Sequence, residues 1–214
     1  MPAIDAFTVH HTFCSYMTPE FDSAYRFLFD ETYRMWQSDL KKIFRIGTRG
    51  TKGGCNLSTC ILVLIGIESF SKFFSAKKGD AEAFEEFVDR YYPSEYHGKM
   101  KRVYELFRHG LAHNYYPKSE FNLKNTAKVA FGVDEKNRVV PLSRLMRDIN
   151  NCRKQVLKLS PAAEKPYVLV PQVLFLDTVT VMESLKSRVK TDSALQNILV
   201  KNHKRIRQIL RHDM

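Results

Sequence analysis

Acidic residues are in short supply in this chain. Its 214 residues carry 23 Asp and Glu against 34 Lys and Arg, a formal charge of +11 with histidine neutral. That imbalance favours polyanions as partners, either nucleic acid or an anionic membrane surface. A merely soluble basic protein carries the same excess, so charge speaks to partners and not to fold. Cysteine is scarce as well. Cys14, Cys55, Cys60 and Cys152 match no zinc pattern, because Cys55 and Cys60 stand five apart and no second pair follows. No basic-then-apolar leader opens the chain, since "MPAIDAFTVHHTFCSYM" is acidic and mixed. The expectation is reduced thiols and a cytoplasmic protein. Long apolar runs are missing too. The most apolar stretch, "CILVLIGIESF" from Cys60 to Phe70, is too short to span a bilayer and is interrupted by Glu68. It reads as a buried core helix, and no membrane partner is expected. No internal repeat or low-complexity tract occurs.

What is present is the composition of a globular protein, 44% hydrophobic and 27% charged. A chain of this length buries a substantial core without disulfides or metals. "TPEFDSAYRFLFDETYRMWQSDLKKIF" has helical spacing, with Thr18 as cap and Pro19 at the first helical position. Phe21, Tyr25, Leu28, Phe29, Thr32, Trp36, Leu40 and Ile43 share one face. The Gly-rich, basic "RIGTRGTKGGCN" is a loop. Arg49 and Lys52 in it could hold a phosphate ahead of the next helix, but the segment lacks the Gly-Lys-Ser/Thr of a P-loop and also reads as a plain connector.

Asn56 or Ser58 starts the apolar helix, which ends near Phe74. Glu68 and Lys72 are spaced to pair on it, or Glu68 orients a cation from a neighbouring helix. Asp80 is expected to cap "DAEAFEEFVDRYY", which Pro93 follows, and Ser94 to cap the next helix. Beyond Pro117, Val129, Phe131 and Val133 alternate, a turn follows, and Val139 and Val140 return, which predicts a β-hairpin. Helical spacing resumes at Leu145, Ile149, Cys152, Val156 and Leu159. "SPAAEKPYVLVP" reads as a connector. Two further helices are expected near 172–189 and 193–210, the last carrying Lys201, Lys204, Arg205, Arg207 and Arg211. The fold class is therefore mainly α, as one domain over residues 1–214.

The densest chemistry sits in "YELFRHGLAHNYYPK", from Tyr104 to Lys118. Met100, Val103, Tyr104, Phe107 and Leu111 form an apolar stripe, so the segment packs as a core helix. Arg108 falls at the border of the stripe, while Glu105, His109 and His113 lie on the polar side. Arg108 and His113 are roughly 140° apart on an ideal helix, with Gly110 between them. Tyr115 returns to the Arg108 side.

Three readings fit these residues. Arg and His near a last turn suit the helix dipole and cap free carbonyls. Glu105, His109 and His113 recur every four residues and could ligate a metal, although a fourth ligand is not evident. Third, a histidine exchanges protons near neutral pH and an arginine holds a phosphate with two hydrogen bonds. RNA supplies its own 2′-hydroxyl nucleophile, so such a pair could cut the chain without a metal. Internal attack benefits from two proton transfers, and a two-fold dimer would bring two His and two Arg into one cleft.

"RHGLAHNY" resembles the signature of the HEPN superfamily: an Arg, a polar residue, three more residues, then His. In some bacterial HEPN toxins a Tyr follows two positions later. Arg108, His109, His113 and Tyr115 occupy those places. The resemblance implies a dimerising α-helical bundle whose motif lines a shared cleft, and a metal-independent endoribonuclease with no cofactor. Such proteins serve in toxin–antitoxin, phage-defence and RNA-processing systems, so RNA, a second copy and an antitoxin protein are the implied partners. Arg108 would stabilise phosphate charge, His113 would act as acid or base, His109 would orient or assist, and Tyr115 would support the cleft. Other members of the family are not known to cleave RNA, so a non-catalytic module binding a nucleotide or a protein is the alternative. The expected plan is a HEPN-like core bundle over about 18–118, a small hairpin insertion over about 126–141 and extra C-terminal helices over about 142–211. Lys118, Arg49, Lys52 and the basic last helix are candidate RNA contacts.

Overall fold

The computed structural model describes residues 18–47, 56–77, 79–105, 121–123, 167–169 and 171–212. These residues are mainly helical. The first helical rod runs as α1 (Pro19–Tyr25), a π-helical stretch (Arg26–Tyr33) and α2 (Arg34–Gly47). Thr18 is the cap that its sequence position predicts: its hydroxyl accepts from the Phe21 N–H at 3.2 Å, and Pro19 opens the helix. The buried side of the rod differs from the predicted one. Ala24, Tyr33 and Phe44 are buried, whereas Tyr25, Thr32, Trp36 and Ile43 are only partly covered. The π segment is the cause. In an unbroken α-helix Phe44 would stand roughly 140° around from Phe21. The slower winding of i→i+5 bonding removes that offset, and both phenylalanines reach the core. The Thr32 hydroxyl donates to the Phe27 carbonyl at 2.8 Å within this stretch.

α3 (Asn56–Phe74) is the central helix, and it packs against α2, the π segment and three later helices. Cys60, Val63, Leu64, Ile67, Phe70, Phe73 and Phe74 are all buried. An apolar helix enclosed on several sides is what "CILVLIGIESF" leads one to expect. Gly66 opens a slot in its flank. The Trp36 indole fills the slot, donating to the Leu62 carbonyl at 2.9 Å and meeting Phe70 edge-on at 5.2 Å. The expected Glu68–Lys72 pair is present at 3.3 Å, and Lys72 also reaches Asp80 at 3.1 Å.

α4 (Asp80–Tyr91) follows. Its cap position is taken by Gly79, so Asp80 is the first helical residue rather than the cap. There its carboxylate still suits the positive helix end while pairing with Lys72. Ser94 does not cap the next helix either. Ser94–Tyr96 forms a 3-10 turn, the chain reverses through Gly98 at φ 67°, and α5 (Met100–Val103) starts after Lys99. Gly98 is required by that left-handed backbone. Its N–H donates to Asp89 at 2.9 Å, which ties the turn to α4.

Two three-residue strands were not expected. β1 (Phe121–Leu123) pairs in parallel with β2 (Tyr167–Leu169), Phe121 opposite Tyr167 and Leu123 opposite Leu169. The segment read as a connector thus contributes a strand, because Tyr167, Val168 and Leu169 are good strand formers between two prolines. The hairpin expected at 126–141 and the helical stretch around 145–159 lie outside the described residues.

α6 (Pro171–Arg188) and α7 (Ser193–His212) close the fold. Both add to the same hydrophobic cluster as the first helices, through Leu174, Phe175, Met182 and Leu185 from α6 and Leu195 and Leu199 from α7. The Asn202 side-chain amide donates to the Phe73 and Ser75 carbonyls at 3.1 and 3.0 Å. It therefore satisfies carbonyls at the open end of α3 and fixes the position of α7.

Candidate functional site

The candidate residues Arg108, His109, His113, Tyr115 and Lys118, with Arg49 and Lys52, lie outside the described residues. The structure does describe the residues that precede the motif segment in the chain, up to Glu105. Of its apolar stripe, Met100, Val103 and Tyr104 are buried, while Phe107 and Leu111 lie beyond Glu105, the last described residue of this stretch. The Tyr104 ring packs on Phe84 of α4 with centroids 4.8 Å apart. Met100, Val103 and Tyr104 thus face the core, as the periodicity predicts for this part of the stripe.

Two tyrosine hydroxyls clamp the entry turn to α6. Tyr96 donates to the Asp177 carboxylate at 2.7 Å, and Tyr92 donates to the Thr178 hydroxyl at 2.9 Å. The Thr178 hydroxyl in turn donates to the Leu174 carbonyl at 2.7 Å, so the chain of donors is complete. The two rings meet edge to face at 6.0 Å. All four residues are buried. Burial, with the Asp177 charge nearby, pushes the Tyr92 phenol well above its ordinary value, so it stays a protonated donor. The His97 imidazole donates to the Tyr92 carbonyl at 2.9 Å and braces the same turn. This clamp escaped sequence reasoning. The one signal was an aspartate inside the apolar run "VLFLDTVTVM", which a buried helix tolerates only with hydrogen-bond partners.

A second buried polar group joins the π segment to α6. Tyr33 donates to Glu183 at 2.9 Å and accepts from the Gln37 amide at 3.2 Å. Burial first, and Glu183 second, hold the Tyr33 phenol far above its usual range. The Tyr92–Tyr96 cluster is buried throughout, whereas in the second only Tyr33 is buried and Glu183 is exposed; both tie helices together.

The expected basic helix is α7. Lys201, Lys204, Arg205 and Arg207 are exposed on it. A cleft of about 430 Å³ separates its Gln196, Val200, Lys201 and Lys204 from Thr18 and Glu20 at the start of α1. Among the described residues, no group of three or more His, Cys, Asp or Glu is placed to hold a metal ion. Among them also, no helix is long and apolar enough to cross a membrane. Comparisons with family models, with curated proteins and with solved structures returned no match.

Proposed function

We propose that the chain is a HEPN-like protein that binds RNA and cleaves it without a metal ion, acting as a homodimer. The observation that carries this reading is the order Arg108, His109, His113, Tyr115 in the sequence that follows the buried Met100, Val103 and Tyr104 of a helical core. The charge of +11 supports it, because a polyanionic substrate must be held before it is cut. In this mechanism His113 takes the proton of the 2′-hydroxyl, whose oxygen attacks the adjacent phosphorus. The His113 of the second copy gives a proton to the departing 5′-oxygen. Arg108 holds the phosphoryl oxygens while negative charge builds on them. The products are a 2′,3′-cyclic phosphate and a 5′-hydroxyl. His109 orients the neighbouring groups and Tyr115 lines the cleft. A toxin–antitoxin or phage-defence setting fits such an activity and would supply an antitoxin protein as a further partner.

Purified protein incubated with unstructured RNA in excess EDTA tests the proposal. Cleavage is expected to persist with EDTA and to fall by about 10²–10⁴ in His113→Ala, the usual worth of a proton-transfer group. Cleavage that stops with EDTA, or that survives His113→Ala and Arg108→Ala unchanged, would overturn the assignment. RNA binding without any cutting would instead favour the non-catalytic module.

A further inference from the structure

From Ser193 to His212, α7 contains no acidic residue. Leu195, Leu199, Asn202 and His203 form its buried side. At about 100° per residue, Lys201, Lys204, Arg205 and Arg207 spread over roughly 160° of the opposite side. All four are exposed. Among the described residues, no carboxylate lies within ion-pair distance of any of them. Two acids line clefts beside this face. Asp80 shares a small cleft with Lys77 and Arg205 but is held by Lys72 at 3.1 Å. Glu20 faces Lys201 and Lys204 across the larger cleft. Four like charges within two turns repel one another, and a folded chain keeps them together at a cost in stability.

The helix cannot turn this face inward. Asn202 locks it to the end of α3 through two hydrogen bonds, and the His203 ring rests 5.3 Å from the Phe27 ring. We infer that the solvent face of α7 is a docking surface for the phosphate backbone of RNA, with Lys201, Lys204, Arg205 and Arg207 as its contacts. A basic amphipathic helix can also lie on an anionic bilayer, but that mode needs a free apolar face. Here the apolar face of α7 is already spent on the core, apart from Ile209 and Leu210 near its end. The choice of RNA among polyanions rests on the function proposed above. The surface itself is independent of the Arg108–His113 motif.

The test uses the full chain and a fluorescein-labelled 2′-O-methyl oligouridylate, which has no free 2′-hydroxyl and cannot be cut by internal attack. Binding is followed by anisotropy across a salt series. Each phosphate contact to a single strand contributes about 0.7 to the slope of log K against log salt. Combined Lys201→Ala, Lys204→Ala, Arg205→Ala and Arg207→Ala should make that slope shallower by about 2.8 and weaken binding more than tenfold at low salt. Should that variant lose its fold by circular dichroism, Lys201→Gln with Lys204→Gln carries the same test, with an expected change of about 1.4. Unchanged slope and affinity in the folded variant would overturn the inference. So would binding to phosphatidylserine vesicles with none to the oligonucleotide. Cleavage of unmodified RNA separates the two proposals. A wild-type chain that cuts RNA while the α7 variant binds normally removes the docking surface and leaves the ribonuclease. A chain that binds through α7 and never cuts does the reverse.

Discussion

Gly66→Ala should destabilise the protein, although helix propensity alone predicts the opposite. Alanine in place of glycine inside a helix is worth about 1 kcal/mol in favour of folding. At Gly66, however, the added methyl would overlap the Trp36 indole, which lies across the flank of α3. Displacing a packed aromatic costs about 1–3 kcal/mol. Losing the Trp36 hydrogen bond to Leu62 adds about 0.5–1.5 kcal/mol. The balance is a net loss of about 0.5–3.5 kcal/mol, or roughly 2–4 °C of melting temperature for each kcal/mol in a chain of this size. The decisive measurement is a double-mutant cycle read by circular dichroism in guanidinium. In a Trp36→Ala background the slot is empty, so Gly66→Ala should now stabilise, by about 1 kcal/mol. A sign change between the two backgrounds is therefore expected. Stabilisation by the same amount in both would refute the close approach of α2 and α3. Trp36 is the sole tryptophan, so its emission should also shift to the red in Gly66→Ala as the indole is pushed toward water.

Tyr96→Phe removes a donor from the buried Asp177 carboxylate and should cost about 1.5–3 kcal/mol, measured as a lower guanidinium midpoint with an unchanged slope. A cost below about 0.5 kcal/mol, the usual limit for surface changes, would show that the clamp does not hold the entry turn. His203 is buried and has Arg207 one turn on, and both effects lower its pKa, desolvation more than charge. The unfolded chain then binds more protons, so stability is full above the ordinary histidine value of about 6.5 and falls as pH drops through it toward the depressed folded value. His203→Gln should flatten stability against pH in that window, and an unaltered slope would exclude the effect. Cys60 is a fully buried free thiol, and burial raises its pKa far beyond the ordinary range. It should resist maleimide in the native protein and react after denaturation, as mass spectrometry of the peptide would show. Native labelling at the unfolded rate would place Cys60 outside the core.

The helices were legible where their signals are local. Thr18 and Pro19 mark a start because a cap hydroxyl and a proline each act within one turn. The span 56–74 reads as a buried helix because the apolar run from Cys60 to Ile67 continues at Phe70, Phe73 and Phe74 with helical spacing. Periodicity misleads at the π segment, because a 3.6-residue repeat carried across Arg26–Tyr33 puts Tyr33 and Phe44 off the buried face. It misleads again between Pro93 and Met100. A serine after a proline is a common helix start, but here Gly98 adopts positive φ and breaks the chain direction before α5 begins. The β1–β2 pair joins residues more than forty positions apart, and three residues on each side carry no alternation long enough to read.

The candidate site divides along the same line. Its chemistry is written in consecutive letters, because Arg, His and Tyr are identifiable by type wherever they fall. The support under it is not. Tyr96 and Asp177 are 81 residues apart, and Tyr92 and Thr178 are 86 apart. No local rule pairs them. These contacts fix the turn ahead of the motif segment in the chain, and a proton-transfer group misplaced by about 1 Å can lose about a hundredfold in rate. Under the proposed function, α6 would bear on how well the motif residues act while carrying none of them. Where the ribonuclease reading holds, Tyr96→Phe should lower the turnover number while leaving RNA affinity through α7 in place. The clamp holds the turn before α5, whereas the cationic face is locked separately through Asn202.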